Sequence, residues 1–150
     1  MADIKSPEDR SKNMSAIKRA DTRPEIYIRK LLFRSGYRYR LQVNTVPGHP
    51  DIWMRKYNTA IFVHGCFWHR HKGCKQAYTP KSRTEFWNNK FETNIRRDQA
   101  VLEQLKSSGI RCLIIWECTI KQVQRKNGDP EKLMSEIEQF LLSDRQYSEL

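Results

Sequence analysis

The sequence has no apolar run approaching the roughly 18 residues that a membrane-spanning helix requires. Its opening, MADIKSPEDR, mixes acids and bases where a signal peptide would be apolar. An intracellular, soluble protein with no membrane partner is therefore expected. Glycine and proline are scarce, six of each in 150 residues, and no repeat, low-complexity segment or linker divides the chain. Cysteine is scarce too. Four cysteines in a reducing compartment point to metal ligation or free thiols and exclude a secreted disulfide scaffold. Acid is the clearest deficit: 17 Asp and Glu face 28 Lys and Arg, leaving a net charge of +11. That excess suits a polyanion such as nucleic acid or an anionic surface. Aromatic residues at 11% supply bulk for a core, and the length suits one domain.

Residues 1–10 read as a loose arm, and SKNMSAIKR as either a short basic helix or a solvated segment, with Met14 and Ile17 at i, i+3. Thr22-x-x-Glu25 is a capping box, Pro24 suits a first turn and Gly36 a C-terminal stop, so a helix is predicted between them. Tyr37, Tyr39, Leu41 and Val43 alternate with polar residues, the period of a half-buried strand. VPGHP is turn chemistry, and DIWM and AIFVHG are two short strands joined as a hairpin by RKYNT. Ser82-x-x-Glu85 opens a long helix ending near Gly109. IRCLIIW at 110–116 reads as a buried strand. After Asn127-Gly128-Asp129-Pro130 a last amphipathic helix carries Leu133, Met134, Ile137, Phe140 and Leu141. The order αβββαβα predicts a three-layer α/β or α+β domain around a mixed sheet over residues 21–150, with 1–20 as a basic arm.

Two carboxylates need explaining. Trp87, Phe91, Ile95, Leu102 and Leu105 form a stripe on the long helix, and Asp98 falls on it. A carboxylate there must be paired: either it meets Arg97 or Arg111 at the wet edge, or it orients a histidine. Glu25 shares a face with Ile28 and Leu32, although capping already occupies it. Asp51 opens a strand, and the hairpin sets what it faces. A turn centred on Tyr57 puts it opposite Val63, and a two-residue turn at Tyr57-Asn58 puts it opposite His64. In both cases a carboxylate meets a strand-end carbonyl near His64 and His69, a donor set suited to a hard cation such as Mg²⁺.

HGCFWHRHKGC holds a second metal-like cluster. Cys66-x4-His71-x2-Cys74 lets one loop wrap an ion, and Cys118, just past the buried strand, is the best fourth ligand. Such a closed four-ligand set reads as structural Zn²⁺; the alternative is reduced, buried thiols. Cys112 reads as a core residue and His49 as a turn residue. Phe67 and Trp68, beside Arg70, Lys72 and Lys75, suit wedging between bases or stacking on them, or else they cover the metal loop. Trp87 on the helix stripe fits either role.

PGHPDIW, AIFVHGCFWHRHKGC, SRTEFW, RRD at 96–98 and LIIWEC, with RSKNM and TRPE upstream, closely resemble the very-short-patch-repair (Vsr) mismatch endonuclease family over residues 9–120. The resemblance implies a restriction-endonuclease-like domain. It implies Mg²⁺-dependent nicking of double-stranded DNA on the 5′ side of the mispaired thymine in a T·G mismatch, which arises by 5-methylcytosine deamination. It further implies that Asp51 and the Val63 carbonyl bind Mg²⁺, that His69 is the catalytic histidine oriented by Asp98, and that Glu25 and His64 support it. Cys66, His71, Cys74 and Cys118 match the structural zinc ligands. Phe67, Trp68 and Trp87 resemble a wedge entering the stack from the major groove, Met14 one entering from the minor groove, and Lys90 and Asn94 contacts to the mispaired bases. A cytoplasmic, nucleoid-associated monomer working beside mismatch-repair proteins is implied as well. Residues 121–150 carry no transferable motif. The competing readings are a non-catalytic, zinc-stabilised DNA-binding module and a restriction-like nuclease with another target.

Overall fold

The computed structural model of the chain describes residues 21–150; the basic arm expected over 1–20, with Met14, lies outside the described residues. Helix α1 (Arg23–Arg34) begins where its cap signals it. Thr22 Oγ1 accepts from the Glu25 amide at 3.4 Å, and Pro24 occupies the first turn, where an N–H would have no helical partner. The other half of the capping box is shifted: Glu25 Oε2 accepts from the Asp21 amide at 2.9 Å, one residue earlier than the motif requires. Gly36, at φ 93°, turns the chain out of the helix, and the Tyr37 amide returns to the Leu32 carbonyl.

Five strands follow one another across a single mixed sheet: β1 (Arg40–Leu41), β2 (Ile52–Met54), β3 (Thr59–His64), β4 (Arg111–Trp116) and β5 (Tyr147–Glu149). The first three pair antiparallel, whereas β3–β4 and β4–β5 are parallel. Helix α2 (Thr84–Ser107) connects β3 to β4; α3 (Glu117–Gln124) and α4 (Pro130–Leu142) connect β4 to β5. Parallel neighbours need such crossovers.

Alternation along β3 and β4 feeds two cores. Ile61, Leu113 and Ile115 pack with Ile28 and Leu32 of α1, Ile120 of α3 and Leu133, Ile137 and Phe140 of α4. Ala60, Phe62, Cys112, Ile114 and Trp116 pack on the other face with Leu105 of α2. Burial on both faces is why IRCLIIW is almost uniformly apolar. Each fully buried Ile or Leu contributes about 1.5–3 kcal/mol, so the strands are held from above and below. Among the described residues no helix is long and apolar enough to cross a membrane.

The expected mixed three-layer arrangement is present, with an order αβββαβααβ that adds two elements. Helix α3 starts directly from Trp116 without a side-chain cap, and β5 is three residues with two exposed side chains, so neither carries a period or cap signal. The strand expected over 37–43 shrinks to two exposed residues. Tyr37 and Tyr39 instead anchor by their hydroxyls, donating to Glu138 Oε2 at 2.7 Å and the Arg29 carbonyl at 2.8 Å, and Gln42 at φ 49° ends the extended run. Ser82 does not cap α2: the cap position is Arg83 at φ 55°, with no side-chain cap. Arg111 is not Asp98's partner either. Its guanidinium donates to the carbonyls of Tyr57, Leu141 and Phe140, satisfying the C-terminal end of α4.

The turn before β2 is packed under α2. Gly48 has φ 81°, and a Cβ there would lie 2.5 Å from Val101 Cγ1 and 3.0 Å from Phe62 Cζ. Strain and overpacking act together. Gly48→Ala is expected to destabilise the protein by about 1–3 kcal/mol in urea unfolding; an unchanged midpoint would show that the turn moves freely.

Candidate active and metal sites

The C-terminal ends of the parallel strands β3 and β4 lie side by side, with His64 opposite Trp116. In α/β sheets that edge is where loops can gather groups for chemistry. Asp51 reaches it from β2. The β2–β3 register pairs Ile52 with Ile61, Trp53 with Ala60 and Met54 with Thr59. Continued outward, it sets Asp51 opposite Phe62, so both expected registers are corrected. The cause is the connection, a 3-10 turn over Arg55–Tyr57 followed by Asn58 in the left-handed conformation, which takes more residues from the β2 side than either assumed turn, so that Met54 is the residue that pairs with Thr59. The carboxylate nevertheless leans to Val63, whose amide donates to Asp51 Oδ2 at 2.7 Å. The direct contact with Val63 is thus through its N–H.

Burial pushes the Asp51 carboxyl up to about 7; the Val63 amide, His69 and Arg29 oppose that rise, and the nearby Glu25 carboxylate adds to it. Glu25 is itself buried, projecting from the first turn of α1, with Arg29 Nη2 at 3.3 Å from its Oε2. Two carboxylates crowded at a dry strand end are a donor set that a hard divalent cation would relieve. Asp51 and Glu25 therefore fit such an ion by chemistry.

His69 Nδ1 and Asp98 Oδ2 are 2.7 Å apart. With Nδ1–H donating to the carboxylate, Nε2 keeps its lone pair and can accept a proton. The ring is stacked on His64, with centroids 3.7 Å apart and planes 4° from parallel. Burial, with His69 adding to it, lowers His64 to about 3, so His64 is an uncharged imidazole at neutral pH. His64, His69 and Asp98 also bring one ligand atom each within 4.8 Å of one another.

The inward face of α2 is more polar than its apolar residues suggest. Trp87, Phe91, Asn94, Asp98, Val101, Leu102 and Leu105 turn inward, whereas Ile95 is 38% exposed. Asn94 takes the slot expected for Ile95 because its Nδ2 donates to the Trp68 carbonyl at 3.0 Å. Its side chain thus holds the loop after β3. Lys90 is exposed on the same helix.

Cys66, His71, Cys74 and Cys118 converge, each offering a ligand atom within 4.8 Å of the others. His71 Nδ1 lies 3.6 Å from Cys66 Sγ and 3.4 Å from Cys118 Sγ. Tetrahedral Zn–S and Zn–N bonds would separate sulfur from nitrogen by about 3.6 Å, so the set fits zinc by dimension and by donor type. Burial pushes the Cys66 thiol up to about 12, a proton that a bound cation would displace. Cys112 sits in the core as expected.

Phe67 is the hub of an aromatic cluster, 5.1 Å from Trp68, 5.6 Å from Trp87, 5.2 Å from Phe91 and 5.1 Å from Tyr78. Phe67, Trp68 and Trp87 are only partly buried. The ring lying flat on the metal loop is Trp116, stacked on His71 at 4.1 Å, so the loop aromatics are not needed as its cover. Trp116 and Tyr78 carry no role in the sequence reading, and Arg70 enters it only as a basic neighbour of the aromatics, although the end of an apolar strand beside a Cys/His loop is a signal for the first.

A sequence-family model described as DNA mismatch endonuclease Vsr matches residues 2–76. The DNA mismatch endonuclease Vsr of Escherichia coli K12 is 38% identical over 144 residues, covering 96% of this chain and 90% of that protein. A type II nicking enzyme of Xanthomonas oryzae is 42% identical over 123 residues, 82% of this chain and 90% of that protein. One from Neisseria meningitidis serogroup A is 40% identical over 121 residues, 81% and 86% of the two chains. With a paired histidine, buried carboxylates and a Cys/His centre on one sheet edge, this chain belongs to the Vsr DNA mismatch endonuclease family and is an endodeoxyribonuclease.

Proposed function

We propose that this endonuclease nicks duplex DNA on the 5′ side of the mispaired thymine in T·G mismatches, with Mg²⁺ in catalysis and Zn²⁺ in structure. The observation that carries this reading is the sharing of supports between chemistry and recognition. The loop after β3 bears Phe67, Trp68 and His69 in succession, and α2 bears Trp87 and Asp98 on its inward face. An enzyme that must cut at a fixed distance from the base pair it senses needs such a rigid link. In this reading the domain is restriction-endonuclease-like and monomeric, residues 1–20 form an arm bringing Met14 to the minor groove, and Lys90 lies toward the mispaired bases.

Asp51, the Val63 carbonyl and the supporting Glu25 would hold the catalytic cation. When bound, Mg²⁺ supplies positive charge to the scissile phosphate and acidifies water. His69 Nε2 accepts the proton of the attacking water, and Asp98 keeps the ring in the competent tautomer and stabilises its charged form. His64, uncharged, backs the His69 ring and excludes water from one side of it. Phe67, Trp68 and Trp87 select the mismatch by energy of deformation: a wobble pair is cheaper to unstack than a matched pair, so a wedge favours it.

Three outcomes follow from these assignments. Asp51→Ala is expected to reduce Mg²⁺-supported nicking of T·G duplex by about 10²-fold or more while duplex binding stays near wild type; rapid nicking by the purified variant would remove Asp51 from the metal site. Metal analysis should find one tightly held zinc per chain, with Cys118→Ala lowering zinc content and melting temperature as much as Cys66→Ala, since losing any ligand opens a closed site. Full zinc and stability in Cys118→Ala would refute the four-ligand set. Trp68→Ala should weaken binding to T·G duplex by about 1–3 kcal/mol and to matched duplex much less. If the two affinities fall together, the ring does not read the mismatch.

A further inference from the structure

Arg70 lies between His69 and His71 in the metal loop, yet its guanidinium turns away from both. Nη1 donates to the Phe67 carbonyl at 3.2 Å and the Tyr78 carbonyl at 2.9 Å. Nη2 donates to the Ala77 carbonyl at 2.9 Å and to Thr79 Oγ1 at 3.3 Å. The flat face of the group lies over the Phe91 ring, 3.7 Å from its centroid, and 5.7 Å from that of Phe67. Its backbone is in the left-handed conformation, φ 54°. One residue therefore joins three separate pieces: the loop after β3, the segment 77–79 and helix α2. Its partners are carbonyl and hydroxyl oxygens, so the charge is spent on fixing backbone.

We propose that Arg70 is a positioning residue for mismatch recognition, a clamp that pre-organises the aromatic wedge before DNA arrives. Phe67 is held through its own carbonyl, and Tyr78, 62% exposed, is held through its carbonyl against the Phe67 ring. A wedge whose rings are already ordered gives up less side-chain freedom when it enters a base stack, and the gain falls on the complex in which intercalation occurs. The geometry needs a planar fork with several donors and a stacking face. Lysine has the charge but neither the fork nor the face.

The inference rests on the T·G reading, and the test separates the two. Wild type, Trp68→Ala, Arg70→Lys and Arg70→Gln are compared for affinity to T·G and matched duplexes without added Mg²⁺, at several salt concentrations, beside zinc content and melting temperature. Arg70→Lys and Arg70→Gln are expected to retain zinc and cooperative melting while the T·G-to-matched affinity ratio falls about tenfold. In Arg70→Lys, matched-duplex affinity and its salt dependence should stay at wild-type levels. A phosphate contact predicts the opposite: Lys preserves both affinities, whereas Gln weakens both duplexes equally and flattens the salt dependence. That result overturns the proposal. So does loss of zinc or of cooperative melting in both variants, which makes Arg70 a folding residue. An absent T·G preference in wild type sinks the functional reading; a selective wild type with an equally selective Arg70→Lys sinks only this inference.

Discussion

The parallel pairing of β3 with β4 is the constraint on which the rest depends. The ladder runs from Thr59 opposite Arg111 to His64 opposite Trp116, and both strands then leave the sheet at the same edge. Cys66 and Cys118 each stand two residues beyond the last pair. Register alone brings them together, and the Cys118 amide points at Cys66 Sγ across 3.4 Å. A slip of one residue would turn Cys112, Ile114 and Trp116 into the wrong core and separate the two thiols. The loop after β3 supplies His71 and Cys74, so the Cys/His cluster is an extension of the sheet's register into its loops.

The same edge controls the electrostatics. Loss of water acts in opposite directions on acids and bases, raising Asp51 and lowering His64, and in each case favouring the uncharged form. Asp51 keeps one amide donor, with the Glu25 carboxylate adding to the rise that burial causes and the charges of Arg29 and His69 opposing it. His64 is left as a flat neutral surface. Against it the His69 ring can lie parallel while its Nδ1–H donates to Asp98. Two groups of the constellation are thus tuned by burial, and a third is oriented by a directed bond.

Helix α2 couples this chemistry to the aromatic cluster. From one face it offers Trp87 and Phe91 to the rings, Asn94 to the Trp68 carbonyl and Asp98 to His69. A polar middle on an inward face weakens the helix's own hydrophobic packing, with only Phe91 and Leu105 of the helix buried. The packing loss is offset by contacts that hold the loop after β3 at several points. Arg70 supplies the complementary grip from the loop side, resting on Phe91.

Much of this was legible in the sequence because it is local. The Thr22 cap, Pro24 and Gly36 delimit α1; the apolar run at 110–116 announces a strand covered on both faces; the spacing of Cys66, His71 and Cys74 announces a loop whose thiol and imidazole groups converge. Asp98 stood out by being a carboxylate on an apolar stripe, and its partner proved to be a histidine rather than Arg97 or Arg111. Tertiary structure decided the rest. The register that sets Asp51 opposite Phe62 depends on a 3-10 turn whose residues carry no distinguishing signal. Strand β5 exists only because β4 offers it an edge, and α3 follows from the chain's exit at Trp116. Asn94 displaced Ile95 from the inward face because a carbonyl of a distant loop needed a donor there. Local signals are written in residue order, whereas long-range hydrogen bonds and the burial that shifts Asp51 and His64 depend on which segments meet, and only folding brings those together.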